Sequence, residues 1–191
     1  MKRLIYVGIL ILSVSLLIGT VGVWAMGGGG GSGSSEEGQV DFNIANLLEL
    51  DIVGNTPGAL ANEDPAGPAP SGGGPGSDLD CDFGTVDPNY NYVCEPHSNL
   101  LVKANIAWNL KVEKVSFTGP VDPRDALAIY DGDPRGASTQ LLGQTNVNNS
   151  ALSGNHNQNV DVWYRLISAN GLVNLPAAAF HITVRFTLST P

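Results

Sequence analysis

Cys81 and Cys94 lie close together and are the two cysteines of the chain. Thiols at such a spacing oxidise to a disulfide or hold a metal. His97 follows Cys94 with two residues between, and Asp78, Asp80 and Asp82 stand just upstream, which is the alternative metal-binding reading. Structural zinc takes four ligands in paired clusters, however, and no second pair is present. A Cys81–Cys94 disulfide is therefore the expectation, stabilising the fold by about 3 kcal/mol through loop closure.

Other chemistry is sparse. A hydrolase needs a nucleophile, a base and an orienting group held together, but the three histidines, His97, His156 and His181, are scattered. The chain has no G-x-S-x-G, no H-E-x-x-H and no phosphate-cradling glycine loop. No enzymatic activity is expected. Asp78, Asp80 and Asp82, together with the turn Asp131-Gly132-Asp133, offer oxygens to calcium, yet neither matches an EF-hand. Asp-Gly turns are routine between strands, and that is the favoured reading. No cofactor is expected, with calcium as the minor alternative. Asn148-Asn149-Ser150 is the single glycosylation sequon, so Asn148 is a candidate acceptor in a polar loop.

These residues sit behind an export-type leader. Lys2 and Arg3 precede an apolar run from Leu4 to about Val23, and Val23-Trp24-Ala25 supplies the small residues of a cleavage site. The run also approaches the roughly 20 residues that cross a bilayer, so residues 1–25 are either a cleaved signal peptide or a retained anchor helix. Export places the cysteines in an oxidising compartment. The formal net charge is -9 at pH 7, and loss of Lys2 and Arg3 with the leader makes the remainder more acidic. Such a surface repels nucleic acid and anionic lipid, leaving the leader as the one membrane-seeking segment.

Residues 26–38 form a Gly/Ser-rich linker, a flexible tether without side chains to bury. Residues 39–191 suffice for one domain with a real core. Within it, residues 54–77 are dense in Pro and Gly and read as a long exposed loop or disordered insertion.

Alternation of apolar and polar residues marks the strands. In residues 40–53, Val40, Phe42, Ile44, Leu48, Leu50 and Ile52 share one parity, broken at Asn46. At about 3.3 Å per residue this run is too long for one ordinary strand. From Leu100, the residues Leu100, Val102, Ala104, Ile106, Trp108, Leu110 and Val112 alternate with polar neighbours along a run long enough to bend between two sheets. Shorter strands are expected at Leu127 to Tyr130, Thr139 to Leu142 and Val160 to Ile167. YDGDPRG and NVNNSALSGNHNQN separate them as turn-rich pieces. In the last strand Phe180, Ile182, Val184, Phe186 and Leu188 face one way. Burial is expected for Phe42, Trp108, Tyr164, Ile182 and Phe186, with Lys103, Lys111, Arg165 and Arg185 outward. The class is all-β, a sandwich preceded by the apolar leader.

The stretch LDCDFGTVDPNYNYVCEPHSNLLVKANIAWNLKV carries FGTV, a polar link and a strand ending in N-x-x-W-x-L-x-V. It resembles spore-coat-U-like and related pilin-like secreted β-sandwich domains. VDVWYRLIS and FHITVRFTLST resemble that pattern's last two strands, so the likeness runs from about Leu79 to Thr190. The cysteine pair is placed differently from the usual pilin disulfide, and Pro176 to Phe180 replace the usual Gly-Thr-Tyr. The resemblance implies a non-enzymatic Ig-like sandwich of surface fibres, spore coats or biofilm matrix.

The expected function is that of an extracellular, cell-surface structural subunit that self-associates into a homopolymer. Val40, Phe42 and Ile44 are the candidate donor strand, entering the sandwich of the next molecule while main-chain ladder bonds supply affinity. Two readings compete with it. Residues 40–53 form an ordinary first strand, or the chain is a monomeric or tethered domain binding a glycan, cation or protein.

Overall fold

A computed structural model describes residues 42–54, 56–169 and 171–191. The expected leader or anchor helix (1–25), the linker (26–38) and Val40 lie outside the described residues. Among the described residues no helix is long and apolar enough to cross a membrane. The chain divides into Met1–Phe42 and Asn43–Pro191, and every described strand belongs to the second unit.

That unit is all-β. Its strands are β1 (Leu48–Gly54), β2 (Ala59–Asn62), β3 (Gly74–Pro75), β4 (Cys81–Asp82), β5 (Tyr92–Glu95) and β6 (Ser98–Ala104). They continue with β7 (Trp108–Thr118), β8 (Leu127–Asp131), β9 (Thr139–Leu142), β10 (Asn148–Gly154), β11 (Gln158–Val160), β12 (Val162–Leu166) and β13 (His181–Ser189). Single 3-10 turns occur at Arg124–Ala126 and Leu172–Asn174.

The alternating run from Leu100 becomes β6 and β7, two halves of one bent strand with the break at residues 105–107. Along one side, β1 pairs with β6 and β13 pairs with β7; along the other, β11 and β10 do the same, all antiparallel. Facing this bent layer is a five-stranded sheet in the order β2-β5-β12-β8-β9. Leu100, Val102, Trp108, Leu110 and Val112 from the first layer meet Leu127, Ile129, Leu141, Val162 and Tyr164 from the second in a common core. The result is sandwich-like, and strand alternation explains it: polar partners such as Lys103 and Lys111 stay at the surface.

Trp108 is fully buried, with its indole N–H donating to the His156 carbonyl at 3.0 Å. Tyr164 is buried, while Ile182 and Phe186 are partly buried against the same core. Arg185 is exposed, and Arg165 lies partly covered in an ion pair with Glu63 at 2.7 Å.

Several expectations are corrected. Residues 42–47 are not strand, so the first strand is Leu48–Gly54 and not the whole of 40–53. The interruption at Asn46 coincides with a side-chain substitute for the ladder, since the Asn105 amide donates to the Ala45 carbonyl and accepts from the Leu47 N–H. Phe42, expected to be buried, is 77% exposed. Ile52 shares parity with the partly buried Leu48 and Leu50 but is 52% exposed, near the end of a strand that pairs on one side only.

The Pro/Gly-rich stretch at 54–77 is not purely loop. Ala59–Asn62 forms β2 against β5, with Leu60 opposite Cys94 and packed on the core. Asx turns follow, the Asn62 and Asp64 carbonyl or carboxylate oxygens accepting from Asp64 and Ala66 N–H groups. The Asn-rich stretch around residue 150 likewise contains β10, because Ala151 and Leu152 reach the core despite polar neighbours.

Candidate assembly site

The segment leading into β1 is built from Phe42 and Ile44, 77% and 74% exposed, followed by Leu47 at 44%. Exposed apolar residues in series are uncommon unless they meet a partner. Asn105, at the bend between β6 and β7, holds the base of this segment through Ala45 and Leu47 at 2.8 and 2.6 Å. Sequence reasoning missed Asn105; its signal was a polar residue where a long alternating run must bend.

Beside the segment's base runs an open sheet edge. Among the described residues β13 pairs with β7 alone, which leaves one row of its backbone groups without a described ladder partner. Its inward residues Ile182, Val184, Phe186 and Leu188 are all partly buried, whereas Trp108, Leu110 and Val112 on β7 are completely buried. The outward side of β13 carries one full charge, Arg185. Glu113 stands opposite Arg185 on β7 but is held by Lys111 at 2.7 Å, and among the described residues Arg185 makes no ion pair.

On β1 the outward acids are already engaged. Lys103 on β6 donates to Asp51 and lies 3.7 Å from Glu49, and these partners raise its pKa, the Asp51 hydrogen bond most.

Cys81 and Cys94 are joined in a disulfide with Cα atoms 6.3 Å apart. It ties β4 to β5, the strand next to the β2 edge of the five-stranded sheet, and it removes Cys94 from any site with His97. His97, His156 and His181 are exposed and far apart in topology, on a strand connection, a strand-connecting loop and β13. Asp78, Asp80, Asp82, Asp131 and Asp133 do not converge; among the described residues no group of three or more His, Cys, Asp or Glu could hold a metal ion. Asn148 is exposed, not in a loop but as the first residue of β10.

One buried charge went unnoticed in the sequence. Lys114 continues the inward parity of Trp108, Leu110 and Val112 and is completely buried. Its ammonium donates to the carbonyls of Arg124, Gly143 and Gln144 at 2.8 to 2.9 Å. Burial pushes its pKa down to about 8.

The outer face of the five-stranded sheet carries a second polar group. Burial, then Asp161 and Asp133, raise the Glu95 carboxyl above its usual range. Arg135, paired with Asp133 at 2.7 Å, lies over the Trp163 ring at 5.6 Å. Among the described residues Trp163 Nε1 and Asp161 Oδ1 are buried without a hydrogen-bond partner. Comparison with protein-family models, with curated proteins and with solved structures finds no match to this chain.

Proposed function

We propose that the chain is a non-catalytic, exported subunit of a surface filament, pilus-like fibre or biofilm matrix, an Ig-like or pilin-like sandwich joined to its neighbours by the amino-terminal segment that includes Val40, Phe42 and Ile44. The observation that carries this reading is the exposure of Phe42 and Ile44 ahead of the first strand. An alternating apolar segment outside the domain's own ladder suits strand addition, in which main-chain bonds give affinity and alternate side chains give fit. A head-to-tail contact of this kind does not close on itself and so propagates a fibre. The disulfide accords with an oxidising destination, and the likeness to spore-coat-U-like and pilin-like domains points the same way. Electron microscopy of the cell surface, with mass spectrometry of the mature amino terminus, tests the reading: fibres containing a chain that begins after Ala25 are expected. Bare surfaces with the protein monomeric and membrane-bound would overturn it.

A second reading, a solitary surface domain that binds a ligand, is favoured by one observation. Trp163 Nε1 and Asp161 Oδ1, a donor and an acceptor on the outer face near Glu95, have no partner among the described residues, and a hydroxyl-rich glycan could satisfy both.

A further inference from the structure

We propose that the free edge of β13 is the acceptor for the segment around Val40, Phe42 and Ile44 of a second copy, with that copy's Asp41 set beside Arg185. The inference rests on the filament reading above and names the surface that reading requires.

A sheet edge accepts a strand when it is long, unpaired and weakly guarded by charge. β13 has nine residues, against four in β2 and three in β11. β9 and β10 shield one another, the Asn149 amide donating to the Leu141 carbonyl at 2.7 Å. β1 is also an edge, but it presents Glu49 and Asp51. The incoming segment carries Asp41 and, further upstream, Glu36 and Glu37. Like charges set side by side on adjacent strands destabilise pairing, so the acidic segment is turned away from β1. β13 offers the opposite sign at Arg185, which lacks an ion pair among the described residues.

Side-chain phase agrees. A strand added beside β13 with Val40, Phe42 and Ile44 facing inward extends the row of Ile182, Val184, Phe186 and Leu188. Those residues are only partly buried in the single chain, so the added strand removes apolar surface on both sides from water. Asp41 and Asn43 then fall on the outward face with Thr183, Arg185 and Thr187, following the two-residue period. The added strand lengthens the layer ordered β10-β7-β13 by one strand beyond β13.

The test is a charge exchange in the full-length mature protein, read as the concentration of unassembled subunit in equilibrium with sedimented filaments. Arg185→Asp and Asp41→Arg should each raise that concentration on the order of tenfold, as an attraction becomes a repulsion. The two changes together should return it close to the wild-type value. Near-ultraviolet circular dichroism of each variant reports the fold separately. If wild-type protein forms filaments and the single variants assemble as wild type does, the acceptor assignment fails while the filament reading stands. Failure of the double variant to recover also overturns the assignment. If the wild-type protein forms no filament under any condition, both readings fall together.

Discussion

Lys114 shows how a single residue can be legible in principle and still be missed. The parity that predicts burial of Trp108, Leu110 and Val112 also predicts burial of Lys114, but a charged side chain at the end of an apolar run reads as the point where the strand leaves the core. The structure keeps it inside by giving its ammonium three backbone carbonyls. Lys114→Met strands those acceptors, so a loss of about 3 kcal/mol in urea unfolding at pH 7 is expected. The pH dependence has a definite sign. With a folded pKa of about 8 against the ordinary 10.5, both states are charged below pH 8. Between those values the folded state releases a proton that the unfolded state keeps. The stability of wild type relative to Lys114→Met should therefore rise with pH through that window. A flat difference would show that the three carbonyls hold the ammonium charged throughout. Gly154 makes a second test at this scale. It stands opposite Trp108 across the ladder, and a Cβ there would meet the Trp108 ring at 2.6 Å. Gly154→Ala should cost about 1–3 kcal/mol by overpacking, and Trp108→Ala about 3–5 kcal/mol by truncation. Both are measurable by denaturant unfolding.

Among the elements, β8, β9 and β13 form where strands were expected, but the single strand expected at Val160 to Ile167 divides at Asp161 into β11, paired with β6, and β12, paired with β5 and β8. The bend between β6 and β7 was anticipated from length alone. Composition misled where backbone pairing outweighed it. β2 lies in a stretch rich in Pro and Gly, yet Leu60 opposite Cys94 anchors four residues in the ladder. β10 reads as a run of turns because Asn and Ser dominate it, but an edge strand needs few apolar residues when Ala151 and Leu152 alone reach the core. Segment 42–47 failed as a strand for the reverse reason: its alternation is good, but its described backbone contacts are all with Asn105, whose side chain meets Ala45 and Leu47 and whose N–H donates to the Leu47 carbonyl. The disulfide belongs to this scale, since β4 has two residues and is otherwise held by its pairing with β3 and by Leu79 and Phe83 packing on the core. With a separation of 13 residues between Cys81 and Cys94, replacing both by Ser should lower stability by about 3 kcal/mol. The midpoint of urea unfolding, compared with that of the unreduced wild type, measures it. An unchanged midpoint would mean that the antiparallel backbone bridge between Ser71 and Thr85 and the core contacts of Leu79 and Phe83 hold this corner without the bond.

At the scale of the whole molecule, acidity and the long free edge pull in opposite directions. A formal charge of -9 keeps copies apart, whereas β13 leaves a row of backbone groups and a partly covered apolar row open to a neighbour. A protein built only to stay soluble would guard such an edge with more than Arg185. Phe42 and Ile44 were readable as sharing a face from alternation, but their exposure was not, because alternation says which residues share a face and never whose core that face enters. Phe42→Asp separates the alternatives. If Phe42 touches neither a neighbour nor its own core, the exposed side chain contributes little and the variant should fold and assemble as wild type does. If it enters a neighbour, the substitution places a carboxylate in an apolar row without a partner, a cost large enough to prevent assembly. The expected outcome is a monomer with an unchanged unfolding midpoint, because Phe42 is 77% exposed in the single chain, and loss of filaments by negative-stain microscopy and sedimentation. Normal filaments from Phe42→Asp would remove Phe42 from the contact. A collapsed fold would mean instead that Phe42 packs within its own chain, and the exposed segment would then have no role in joining subunits.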